Sequence, residues 1–259
     1  MKSFSSYVMP ILVAAFYLFL YIPIFVLVVF SFNNNAYTHS WVGFTTSWYT
    51  DLFASTEVWY ALKNSLVIAS ASVVLSLTLG STLIFFGSRS VVRRLLLVFY
   101  GSLAMPEIVL AVGLLSLFSF FSISLGTITL IVGHTLLGLG YVIPILYGRF
   151  VELDVNLIEA SYDLGATQRQ TFFNIVLPLL APALVAAGLL VFIISLDDFI
   201  ISFFCAGASV QTLPLYIFAV IRTGASPMIN ALSTVMLIVS SFLVLLFSFV
   251  QVKKIRGHK

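Results

Sequence analysis

Charge is what this sequence has least of. Only 8% of its 259 residues are Asp, Glu, Lys or Arg, against about 25% in an ordinary soluble domain. Twelve basic and nine acidic side chains cannot clothe a water-facing globule of this length. That excludes an ordinary soluble domain and a disordered chain. The net charge of +3 calls for no nucleic-acid partner. Cysteine occurs once, at Cys205, so the chain has no internal disulfide and says nothing of its redox compartment. Glycine, at 15 residues, is too scarce for a collagen-like fibre. Three catalytic signatures are missing: H-E-x-x-H for zinc, G-x-x-x-x-G-K-[ST] for nucleotide phosphates, and the G-x-S-x-G elbow. Without a phosphate loop the chain does not hold ATP in the usual way, and any energy must come from another chain. What is abundant is bulky apolar side chain: 61% hydrophobic, with 25 Phe and 11 Tyr. The composition is that of an integral membrane protein.

A helix needs about 20 apolar residues to cross ~30 Å of hydrocarbon. Charge-free runs mark the candidates: Tyr7 to Phe32, Leu62 to Gly87, a double-length run from Leu95 to Tyr147, Leu179 to Cys205, and Ile229 to Val250. The double run contains only Glu107 and breaks at Phe121-Ser122-Ile123-Ser124-Leu125-Gly126, giving the third and fourth spans. The runs are apolar all round, whereas a membrane β-barrel would alternate polar and apolar residues. The first run lacks a small-residue cleavage site and ends in Ser31-Phe32-Asn33-Asn34-Asn35, so it reads as a retained helix, not a signal peptide. The expectation is a single all-α transmembrane domain, residues 1–259, with six helices.

Orientation follows from the basic residues. With the N-terminus inside, Lys2, Arg89, Arg93, Arg94, Arg149, Arg169, Lys253, Lys254, Arg256 and Lys259 fall on the cytoplasmic side, and only Lys63 and Arg222 fall outside. Both termini are therefore expected in the cytoplasm. The outer loop, Asn33 to Ala61, holds Trp41, Trp48 and Trp59 with Tyr37, Phe44, Tyr49 and Tyr60. Such rings suit a membrane interface, and the plain reading is an aromatic belt. The cytoplasmic loop, residues 149–178, has helix-forming composition from Leu157 to Ile175, interrupted at Gly165.

That cytoplasmic loop carries the most specific pattern in the chain. It reads Glu159-Ala160-Ser161, three residues, Gly165, nine residues, then Ile175-Val176-Leu177-Pro178. Small residues allow close approach of another surface, Gly165 permits a left-handed turn between two short helices, and Pro178 suits the first turn of a helix re-entering the bilayer. The spacing resembles the EAA loop of ABC-importer permeases, with Ser161 in place of the second alanine. The resemblance runs along the whole chain. Tyr21-Ile22-Pro23-Ile24, Ser31-Phe32-Asn33, Gly43-Phe44-Thr45, Trp48-Tyr49, Met105-Pro106-Glu107-Ile108-Val109, Ser195-Leu196-Asp197-Asp198-Phe199 and Thr212-Leu213-Pro214-Leu215 are similar to segments of spermidine/putrescine permeases of the shorter, C type.

The resemblance implies the type I ABC-importer permease architecture in a bacterial inner membrane. It also implies a second homologous permease, an ABC ATPase dimer that binds ATP and Mg, and a periplasmic or lipid-anchored polyamine-binding protein. This chain would then hold no cofactor, and Glu159, Ala160, Ser161, Gly165, Ile175, Leu177 and Pro178 would couple it to the ATPase.

Three acids lie within apparent spans. An Asp at the centre of a transmembrane helix costs about 2.5–3.5 kcal/mol on insertion scales, so these groups should face a cavity or a partner. Glu107 is about 12 residues into its run, ~18 Å at 1.5 Å per residue, and Asp197 and Asp198 lie ~22 Å into theirs. Pro106 should kink its helix, and broken helices at membrane depth line cavities or are buried in protein. Adjacent residues on a helix diverge by about 100°, so one of Asp197 and Asp198 should face a pathway and the other a neighbouring span. Carboxylates attract ammonium groups and aromatic faces add cation–π attraction, with Trp48 and Tyr49 at the outer mouth. The plain alternative is that the acids only hydrogen-bond between helices. His134 reads as a packed, hydrogen-bonded helix residue.

Neighbouring acids on one helix face each other poorly, which argues against an intramembrane aspartyl protease. An ABC permease for another small cation such as ferric ion remains open. So does an ATPase-independent secondary transporter or channel, although such a protein has no need of an EAA-type loop.

Overall fold

The computed structural model describes residues 5–35, 40–87, 89–224 and 227–256. Lys2, Tyr37 and Lys259, which entered the orientation and aromatic-loop readings, lie outside them. The chain order is α1 (Ser5–Phe30), α2 (Ser47–Ala54), α3 (Thr56–Phe86), α4 (Arg89–Ala104), α5 (Glu107–Phe120), α6 (Thr127–Val151), α7 (Val155–Asp163), α8 (Gln168–Thr171), a π-helical turn (Phe172–Val176), α9 (Leu177–Asp197), α10 (Ile200–Cys205), α11 (Leu213–Thr223) and α12 (Pro227–Arg256). Among the described residues there is no strand, only an isolated bridge between Asn33 and Phe44. Helices follow from the composition: in hydrocarbon every backbone N–H and C=O must bond within the segment.

Among the described residues four helices are long and apolar enough to cross a membrane: Met9–Phe30, Thr56–Phe86, Thr127–Val151 and the continuous run Gln168–Asp197. A fifth forms if α4 and α5 are taken as one span, although they meet at 114°. The sixth expected span falls in α12, whose apolar described stretch, Pro227–Phe242, is shorter. The break expected at residues 121–126 separates α5 from α6. The kink expected at Pro106 is a complete break.

The contacts divide the chain into two compact units, Met1–Trp59 with Ile217–Lys259, and Tyr60–Tyr216. In the first, α1 packs on α12, and α12 on α2. Most of α1 is exposed apolar surface, including Phe16, Leu18 and Phe19, which lipid or another chain must cover.

In the second unit α6 packs along α9, α4 lies against α6, and α5 lies against α10. Lipid-embedded helices associate by close packing and polar contacts, because lipid is as apolar as the side chains. The sequence provides for close approach with glycine. A Cβ at Gly138 would stand 2.8 Å from Val191 Cγ1 and 3.0 Å from Ser76 Oγ, and one at Gly133 would stand 2.7 Å from Ile201 Cγ2. Leu114 and Phe118 of α5, Leu130 of α6, and Ile201 and Cys205 of α10 form one buried cluster. Val142, Leu146, Ala187 and Val191 form another. These two clusters fix the broken helices on which the acids sit.

Candidate functional site

Glu107 and Asp198 both stand at helix breaks. Pro106 disfavours α geometry at Met105 and has no N–H to continue the ladder. The chain therefore leaves α4 at Ala104, passes Pro106 at φ −56° and ψ 131°, and starts α5 at Glu107. A carboxylate in a first helical turn lies at the positive end of the helix dipole.

The second break corrects the expectation of two acids on one continuous helix. Asp197 is the last residue of α9, and Asp198 is extended at φ −68° and ψ 118°. The cause is local. The Asp198 carboxylate accepts hydrogen bonds from the Ile201 N–H at 3.3 Å and the Ser202 N–H at 2.9 Å. It thereby caps the otherwise unsatisfied start of α10.

The two acids of the pair part company. Asp198 is buried and Asp197 is exposed. The Glu107 carboxyl is half-buried and lies near Asp198. Behind Asp198 lies His134 of α6, only 1% exposed. Its Nδ1 is 2.7 Å from Ser195 Oγ. Its Nε2 is 3.2 Å from Ser202 Oγ and 3.4 Å from Asp198 Oδ2. Sequence reasoning expected a packed, bonded His134 but did not connect it, Ser195 or Ser202 to the acids. The only signal was that Ser195 and Ser202 lie three residues before and four after Asp198, a spacing that suits one helix face and is common in any helix.

The loop of residues 149–178 contains two short capped helices. The Asp154 side chain accepts from the Asn156 N–H and starts α7. Thr167 and Gln170 form a reciprocal capping box that starts α8. Between them Gly165 takes φ +85°, the left-handed turn that only glycine adopts without strain. The Ala166 N–H reaches back to Ser161 O at 2.9 Å and the Gly165 N–H to Tyr162 O at 2.9 Å, closing the end of α7.

Glu159, Ala160, Gly165 and Pro178 are exposed, Ile175 and Leu177 half-buried. Ser161 is turned inward: its hydroxyl donates to Ile158 O at 2.7 Å and lies 2.8 Å from Thr171 Oγ1. Its small size thus serves contact inside the loop, where contact with another protein's surface was expected. Pro178 stands in the first turn of α9, which follows α8 and the π turn without a gap. Phe172, Val176 and Leu180 of this run are buried against Ile158, Leu153 and Phe85, fastening the loop to the spans. On the outside Leu164 is 89% exposed, a large apolar residue at the loop tip. Tyr162 and Leu157 are exposed near it in the chain.

Trp48 and Tyr49 belong to the other unit. Trp48 Nε1 donates to Asn33 O at 2.8 Å, and the Tyr49 hydroxyl lies 2.7 Å from Ser31 Oγ. Asn33 in turn donates to Ser40 O at 2.8 Å and accepts from the Val42 N–H at 3.0 Å. Phe32 stacks on Phe44 and packs against Tyr49. The polar ends of both rings tie α2 to the end of the first helix, and both rings remain half-buried.

The family described as binding-protein-dependent transport system inner membrane component matches residues 72–253. The chain is 39% identical over 244 residues to the spermidine/putrescine transport system permease protein PotC of Haemophilus influenzae, covering 92% of this chain and 93% of that protein. It is 34% identical over 229 residues to the putrescine transport system permease protein PotI of Escherichia coli, covering 85% and 82%. Among solved structures it is similar to a chain of a bacterial ABC transporter involved in the import of the acidic polysaccharide alginate, with TM-score 0.70 over 97% of this chain and 98% of that one. At 17% identity that likeness concerns the fold alone.

Proposed function

Because the chain belongs to the family of binding-protein-dependent transport system inner membrane components, we propose that it is the permease subunit of an ATP-driven importer of polyamines, spermidine or putrescine. The observation that carries the cargo is the group of acids at two helix breaks: Glu107 half-buried near Asp198, Asp197 exposed, and Asp198 buried beside His134. A polyamine is a flexible chain of ammonium groups. Carboxylates at the ends of broken helices offer it charge at membrane depth without a deep binding well, which suits passage. Glu107 and Asp197 meet the cation, Asp198 orients Glu107, and the faces of Trp48 and Tyr49 receive the cation at the outer mouth. The relatives' printed substrates, spermidine and putrescine, favour this cargo over ferric ion.

The chain itself catalyses no reaction. A binding protein delivers the cargo from outside, and a partner ATPase dimer binds ATP and Mg and supplies the energy. A second homologous permease stands beside this one, and the two alternate between outward and inward openings. The loop from Glu159 to Pro178 takes the ATPase's motion. The exposed Leu164 fits an apolar socket there, and the capped, clipped helices transmit force because they have little freedom to yield. Six spans with both ends in the cytoplasm follow from the distribution of basic residues.

The test is uptake of labelled spermidine and putrescine by cells with and without this gene, together with co-purification of an ATPase. Saturable, ATP-dependent uptake that vanishes with the gene supports the reading. Unchanged uptake of both polyamines on deletion refutes the cargo, and purification without any ATPase refutes the importer.

A further inference from the structure

Import as described leaves His134 without a part. The ring lies mid-helix in α6, where a packing residue would be Leu or Phe, and a buried imidazole is costly unless both ring nitrogens are bonded. Here both are, and the partners lie on opposite sides of a break. Nδ1 meets Ser195 of α9 at 2.7 Å. Nε2 meets Ser202 of α10 at 3.2 Å and Asp198 Oδ2 at 3.4 Å. With the hydrogen on Nε2, the ring donates to Ser202 Oγ beside the Asp198 carboxylate and accepts the Ser195 O–H at Nδ1. Its neighbour Gly133 lets Ile201 sit where a Cβ would be 2.7 Å away, so α10 comes close enough for these contacts.

We propose that His134 is a positioning residue of the cation path: anchored by Ser195, its imidazole holds the Asp198 carboxylate at the helix break in the orientation that aligns Glu107 for the passing ammonium. The inference rests on the reading of the acids as a cation path. Two backbone N–H groups donate to Asp198, the His134 Nε2 stands 3.4 Å from its Oδ2, and the Glu107 carboxyl lies nearby. The backbone donors move with α10. The ring, carried by α6, ties Asp198 to a second helix. Loss of that tie leaves α10 capped but frees the capped break, and Asp198 with it, to shift against α6 and Glu107.

The test uses the whole importer, with its partner chains, and reads KM and maximal rate of polyamine uptake. A Gln side chain at 134 places its end group near the position of Nε2, and an Asn side chain near that of Nδ1. His134→Asn keeps the Ser195 contact but loses the Nε2 contacts to Ser202 and Asp198, and should raise KM about tenfold, the value of one buried hydrogen bond. His134→Gln reaches Asp198 and should remain several-fold closer to wild type than the Asn variant. In an Asp198→Asn background His134→Asn should add no further loss, since coupled residues are not additive.

Equal KM for both His134 variants and wild type, in an importer that Glu107→Gln cripples, overturns the positioning role and leaves the acid path standing. If Glu107→Gln and Asp197→Asn import normally, the acid path itself falls. Fully additive losses in the double variant also overturn the proposal. Should His134→Asn not assemble, Ser195→Ala, which removes one oxygen from the anchor, decides it: a raised KM supports the role and an unchanged KM refutes it.

Discussion

Replacing Asp198 by alanine separates what its carboxylate does for the fold from what it does for transport. The side chain accepts the N–H groups of Ile201 and Ser202 at 3.3 and 2.9 Å in a buried break, and Ile201 and Ser202 are themselves fully buried. Alanine leaves both donors without an acceptor, and each such donor costs about 1–3 kcal/mol. The sum, roughly 2–6 kcal/mol from that range, is a large part of the ~5–15 kcal/mol that holds a domain. Asparagine keeps one oxygen for the shorter bond and should cost only about 1 kcal/mol. Heating the purified importer and measuring the fraction still assembled should therefore rank wild type above Asp198→Asn, and Asp198→Asn well above Asp198→Ala. Uptake per assembled complex should fall in both. If the alanine variant resists heat as well as the asparagine variant, the carboxylate does not cap α10, and the account of the break is wrong.

Leu164→Asp should leave folding and membrane level unchanged, because the side chain is 89% exposed, yet reduce ATPase co-purification and uptake at least several-fold; Gly165→Ala, at φ +85°, should cost about 1–2 kcal/mol of loop stability and show as easier proteolysis of the loop. Gly133→Val should force α10 off α6, since even a Cβ meets Ile201 at 2.7 Å, with an overpacking cost of about 1–3 kcal/mol and a matching drop in heat resistance. A cysteine at Thr167 in a Cys205→Ala background should resist an impermeant thiol reagent in intact cells and react once the membrane is opened; labelling from outside would reverse the orientation and remove the loop from the ATPase.

Much of this was legible in the residues because single residue types dictated it. Long runs of Leu, Ile, Val and Phe have no arrangement in lipid but helix, and Pro106 could only interrupt one. Gly165 and the residues around it specified a turn between short helices, and the structure shows that turn at φ +85°. The break at Asp198 was not legible. Ser195-Leu196-Asp197-Asp198-Phe199 contains neither proline nor glycine, and the helix stops there because a side chain outcompetes the backbone ladder for two N–H groups. Sequence periodicity assumes the helix continues and so placed both acids on it.

Ser161 was misplaced for a similar reason. A small residue fits an outer contact or an inner one equally well, and only the position of Thr171 across the loop, 2.8 Å away, decides between them. His134 gave no signal beyond being polar in an apolar run. Its partners lie 61 and 68 residues away in the chain, a distance that no local pattern spans.

The import path is tested most directly by removing charge while keeping shape. Glu107→Gln and Asp197→Asn change almost nothing in size, and neither residue caps a helix through its side chain, so both variants should insert and assemble with the ATPase as wild type does. Labelled spermidine uptake should fall at least tenfold in each, delivery by the outer binding protein should be untouched, and Glu107→Asp should recover much of the loss because it restores the charge. Uptake at the wild-type rate in both neutral variants would contradict the account and leave the acids as packing features.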